Sequence, residues 1–142
     1  MKNFLLYSAP PGERLLNWTL LAFRITVAIL IMAHGWQKIQ NYSYLSGVFP
    51  DPIGLGSQIS LLLALSAEFA GGLFVAAGLL TRLSLIPLTF TMIIAFFVTH
   101  AADTFQVKEL AFVYLIIFIV LFLFGPGKYS VDNLLFKVKG EK

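Results

Sequence analysis

The chain has 142 residues, of which 58% are hydrophobic and only 12% charged, with a net charge of +3. A soluble domain carries about 25% charged residues, so a mean hydropathy of +0.86 excludes an ordinary soluble fold and places the chain in a bilayer. There is no cysteine, which excludes thiol catalysis, disulfides and cysteine-ligated iron–sulfur clusters in this chain.

Residues 1–14 read as an N-terminal tail. Pro10-Pro11-Gly12-Glu13 stands where a signal peptide would need a short apolar core and a cleavage site. Four apolar runs follow, at 15–36, 56–80, 83–99 and 107–124. Each is close to the roughly 20 residues that cross a hydrocarbon core. Turn-rich pieces separate them at 40–54, 81–82 and 101–106. The fold class expected is all-α, a transmembrane antiparallel four-helix bundle over residues 15–127. Gly125-Pro126-Gly127 ends the fourth helix. A cytoplasmic amphipathic tail at 128–142 follows, with Val131, Leu134, Leu135 and Val138 set against Lys137 and Lys139.

Basic residues set the orientation. With both termini cytoplasmic, Lys2, Arg14, Arg82, Lys128, Lys137, Lys139 and Lys142 lie inside and only Lys38 and Lys108 outside. The basic excess is thus a topology signal and a contact with anionic lipid, and no nucleic-acid partner is expected. Asp132 and Arg82 share the inner side, where they are expected to pair.

The candidate site residues are the ionisable groups inside or at the ends of spans. Arg24 lies in the first span and Glu68 in the second, and an ionisable group at membrane depth marks a functional site. If both helices meet the membrane surface near Lys38 and Gly56, Arg24 lies about 21 Å deep and Glu68 about 18 Å deep. A buried Arg24–Glu68 pair is the expected arrangement. Ala64, Glu68 and Gly72, with Ala67 and Gly71, give helix 2 the small residues that permit close packing. On helix 1, Arg24, Ile31, Gly35 and Lys38 fall within about 40° of one direction, with His34 about 80° away. His34, Lys38, His100, Asp103, Lys108 and Glu109 gather near the outer surface. A polar funnel from there down to Arg24 and Glu68 is expected. Glu68, His34 and His100 are the candidate catalytic residues; Arg24, Glu68, His34, Lys38 and Glu109 are the candidate ligand-binding set. His34, His100 and Glu109 have metal-ligand chemistry but no ligand spacing, and no metal is expected. Taken singly, each has a structural role: interfacial anchors, a helix-end cap, and a partner for a helix dipole.

Four motifs in order also resemble one known family. His34-Gly35-Trp36-Gln37-Lys38, within 24–39, is similar to the first-helix signature of DoxX family membrane proteins. Ala67-Glu68-Phe69-Ala70-Gly71-Gly72 and Gly78-Leu79-Leu80-Thr81-Arg82 resemble its second helix and following turn. His100 matches the end of its third helix, and Gly125-Pro126-Gly127-Lys128-Tyr129-Ser130-Val131-Asp132 its closing motif. The resemblance covers about residues 16–135. It implies a multi-pass protein of the bacterial cytoplasmic (inner) membrane. Some family members are associated with a membrane thiosulfate:quinone oxidoreductase or with oxidative-stress complexes. The function implied is a quinone-interacting or membrane-anchoring subunit of a redox complex, with quinone as cofactor and a soluble or membrane redox partner. Thiosulfate activity is not carried over. The alternatives are a non-catalytic scaffold that organises lipid, or a small proton-coupled transporter working as a homo-oligomer, since four helices barely enclose a route alone.

Overall fold

The structure, a computed structural model, describes residues 11–136. The expectations for residues 1–10, for Lys2, and for Lys137, Val138, Lys139 and Lys142 lie outside the described residues. Among the described residues six helices follow in order: α1 Glu13–Gln40, α2 Tyr42–Val48, α3 Ser57–Ala77, α4 Thr81–Thr99, α5 Phe105–Phe124 and α6 Val131–Phe136. The four long ones, α1, α3, α4 and α5, are long and apolar enough to cross a membrane.

Short connections make consecutive spans antiparallel neighbours. Val27, Ala28 and Ile31 of α1 pack with Val75 of α3, Leu85, Leu88 and Met92 of α4, and Tyr114, Leu115, Phe118 and Leu121 of α5. This core closes the bundle. The outward faces carry exposed Leu, Ile and Phe along every span, which suits contact with lipid tails. The face that holds Glu13 and the segment after α5 is called proximal; the other is distal.

The register of α1 against α3 is set by glycine. A Cβ on Gly35 would lie 2.8 Å from the Phe69 backbone nitrogen, and one on Gly72 would lie 2.6 Å from Met32 Cγ. Only hydrogen lets the two helices approach this closely. Gly71 faces α4, with Leu88 Cγ 3.3 Å from its would-be Cβ. Both α3 and α4 contain one wide π-helical turn, at Ala67–Gly71 and Ala95–Thr99.

α3 stops at Gly78, whose φ of 68° suits a residue without a side chain. The Gly78 and Leu79 amides donate back to the Val75 and Phe74 carbonyls in a Schellman motif. Asp132 then caps α4 from fifty residues away in sequence. Its carboxylate accepts from the Leu80 and Thr81 amides at 2.6 and 2.9 Å. Asp132 therefore does not pair with Arg82. Arg82 donates instead to the Phe122 and Leu123 carbonyls at the end of α5.

The 40–54 piece differs from its reading as turns. Asn41 breaks α1 for one residue and α2 then forms without a capping side chain. Its Tyr42 hydroxyl accepts from Gln58 of α3 at 3.2 Å. Such a helix is made by packing on α3 and has no periodic signal of its own.

Candidate functional site

Arg24 and Glu68 are both deeply buried, with 1% and 4% of their surface exposed. They are not partners. The Arg24 guanidinium donates to the Pro126 carbonyl and, at 2.9 Å, to the Tyr129 carbonyl. It lies against Gly78, whose would-be Cβ sits 2.8 Å from Arg24 Cζ. Ten residues of α3 separate Gly78 from Glu68, about 15 Å at helical rise. The expected Arg24–Glu68 pair is thus replaced by two separate solutions at opposite ends of the bundle.

Arg24 and Glu68 lie at different depths because the two helices do not meet the distal surface at one level. Gly35 stands opposite Phe69. Only five residues of α1 lie beyond Gly35, but twelve of α3 lie beyond Phe69. α3 projects further out, and α2 covers it there. Glu68 is consequently within reach of the distal end of α1.

Its partner is Lys38, with Nζ 2.6 Å from Glu68 Oε2. The ammonium has about a fifth of its side chain exposed and the carboxylate is enclosed. Two cavities meet at Lys38. An open vestibule of about 310 Å³ with mixed lining is bordered by His34, Gln37, Lys38, Asn41, Tyr44 and Leu45. A larger, mostly apolar cavity of about 430 Å³ runs between α3, α4 and the loop after α2. Leu63, Ala64, Phe90 and Ile94 form its walls, Phe49, Pro50 and Ile53 its distal side, and Lys38, Glu68 and His100 its polar points. Both π-helical turns border it, through Ala67 and Glu68 on α3 and Ala95 and Thr99 on α4. Single wide turns of this kind recur at functional sites because they redirect a side chain from the helical register.

The remaining candidates separate. His34 lines the vestibule, and its ring meets Tyr114 edge-on with centroids 6.0 Å apart. His100 borders the apolar cavity and pairs through Nδ1 with Asp103 at 2.7 Å. Glu109 is exposed at the start of α5 and lines neither cavity. His34, His100 and Glu109 do not converge, and no cluster of metal-binding side chains occurs among the described residues. The expected funnel exists only in its distal half, ending at Glu68. Its proximal end is closed, because Asn17 accepts the Lys128 amide at 2.7 Å beside the Arg24 bonds.

Several participants were not singled out from sequence. Gln37, Asn41 and Tyr44 belong to the vestibule, and Tyr114 is a buried phenol within the apolar run of α5. Asp51 fastens the loop flanking the apolar cavity. Its carboxylate accepts from the Gly56 and Leu55 amides and from the Ser60 hydroxyl, all at 2.8–2.9 Å. These bonds, the Gly56 amide first and the Ser60 hydroxyl next, hold its pKa below the ordinary carboxylate value.

Four spanning helices around a partly buried ion pair and an open apolar cavity define a multi-pass membrane protein. The DoxX family model matches residues 19–101, more than half of the sequence. The chain belongs to the DoxX family. It is 35% identical to the inner membrane protein YqjF of Escherichia coli over 82% of this chain and 92% of that one. Two uncharacterized proteins of Haemophilus influenzae are 31% and 27% identical over 82% and 84% of this chain. No solved structure matches. With its four spans, this relationship makes the chain a multi-pass inner-membrane protein.

Proposed function

We propose that this protein is the quinone-holding membrane subunit of a redox complex, with both termini on the cytoplasmic side. The observation that carries the reading is the Lys38–Glu68 pair at the edge of a mostly apolar, open cavity between α3, α4 and the loop after α2. Sites for small amphipathic molecules combine apolar walls with a few convergent polar groups. The ammonium has three donors, one of them committed to Glu68. A second can meet a quinone carbonyl, while the carboxylate accepts from a quinol hydroxyl. The apolar wall then takes the start of an isoprenoid tail, which continues into lipid. Arg14, Arg82 and Lys128 on the proximal face, against Lys38 and Lys108 on the distal one, support cytoplasmic termini.

The chain has no thiol couple to carry electrons. In this reading electrons pass between the quinone and a cofactor on a partner protein. The test is purification from native membranes in mild detergent, with bound small molecules and companion proteins identified by mass spectrometry. About one isoprenoid quinone per chain, lost in Glu68→Gln, is the expected result. A folded chain that carries a reproducible soluble partner but no quinone makes it an anchor and overturns the proposal.

A further inference from the structure

We propose that the ligand site exchanges protons with water on the distal face alone, through the vestibule that shares Lys38 with it. The inference rests on the quinone reading for its purpose but on separate geometry for its content. Lys38 lines both cavities and is bonded to Glu68. The vestibule opens at the distal end of α1 and its lining includes His34, Gln37, Asn41 and Tyr44, whose polar atoms can order water leading from the distal surface to the ammonium. His34 sits one turn before Lys38 on α1, so its imidazole borders the route.

The opposite direction is closed by packing. Between Glu68 and the proximal face stand Ala28, Ile31, Val75, Leu85, Leu88 and Phe118, each almost fully buried. Below them the Arg24 guanidinium is fixed on the Pro126 and Tyr129 carbonyls. A fixed cation also repels a proton approaching from that side. Among the described residues, Glu68 thus has an aqueous approach from the distal face. A ligand hydroxyl that gives its proton to the Glu68 carboxylate releases it to distal water, with the electron pair remaining on the ligand oxygen.

The absence of cysteine makes this measurable without background. Single-cysteine variants are reconstituted in proteoliposomes of synthetic, quinone-free phosphatidylcholine. A membrane-impermeant charged methanethiosulfonate is added outside. Ser43→Cys reports the fraction of chains with the distal face outward, and Glu13→Cys the fraction with the proximal face outward. His34→Cys and Ala67→Cys should be modified to the Ser43→Cys fraction. Ala64→Cys serves in place of Ala67→Cys if that variant does not fold. Glu68→Cys supplies the proton readout. Its modification rate should change about tenfold per unit of external pH below the thiol pKa and ignore the internal pH. Modification of Ala67→Cys to the Glu13→Cys fraction, to completion, or not at all overturns the proposal, as does a rate set by internal pH. Because no quinone is present, this result stands or falls separately from quinone binding.

Discussion

At the scale of single residues, two buried charges are stabilised in different ways. Arg24 is held by two backbone carbonyls, which a planar guanidinium can engage together, while its buried Nε has no partner. Lysine offers a single point charge, so Arg24→Lys is expected to cost about 1.5–3 kcal/mol of stability, read from reversible unfolding in detergent. Glu68 is satisfied by one lysine. Lys38→Met leaves an enclosed carboxylate without a partner and should cost about 3 kcal/mol. Glu68→Gln leaves only a partly exposed ammonium and should cost clearly less. The double variant Lys38→Met/Glu68→Gln should recover most of the Lys38→Met loss, and simple addition of the two effects would contradict the pairing. That Arg24 and Glu68 are buried charges was legible in the sequence, because an ionisable group in an apolar run stands out. Their partners were not. The carbonyls that hold Arg24 come from residues more than a hundred positions away and carry no side-chain signature.

At the scale of elements, registers and caps place those residues. Gly35→Ala would push its methyl into the Phe69 backbone and separate α1 from α3. A loss of about 1–3 kcal/mol is expected, together with weaker quinone retention, since Lys38 would move away from Glu68. Asp132→Ala removes the cap of α4 and should cost about 1 kcal/mol. The loop fastened by Asp51 carries a pH dependence. Its folded pKa is depressed, so its contribution is present above the ordinary carboxylate pKa and is lost as pH falls through the lower, folded value. Amide exchange at Leu55 and Gly56, corrected for intrinsic rates, should accelerate in that acidic window, and Asp51→Ala should abolish the transition. The spans were legible from their length and apolarity alone. α2 and the offset between the ends of α1 and α3 were not, because both arise from packing between helices, and that offset decides which cation Glu68 meets.

At the scale of the whole molecule, the bundle is closed at its proximal end and hollow at its distal end. The closing segment after α5 ties α1, α3 and α4 together through Arg24, Asn17, Gly78 and the cap of α4. Two cavities at the other end converge on one ion pair. The family motifs divide along the same line. Gly78 to Arg82 and Gly125 to Asp132 build the closed end, while His34 to Lys38 and Ala67 to Gly72 build the hollow one. The proposed quinone site is the hollow end, at Lys38 and Glu68. The most direct test is equilibrium binding of a short-chain quinone to purified, delipidated protein, comparing the parent chain with Lys38→Met/Glu68→Gln and with Arg24→Lys. The account predicts at least tenfold weaker binding in the ion-pair variant and unchanged affinity in the Arg24 variant. Undiminished binding without the ion pair, or a loss confined to Arg24→Lys, would contradict it.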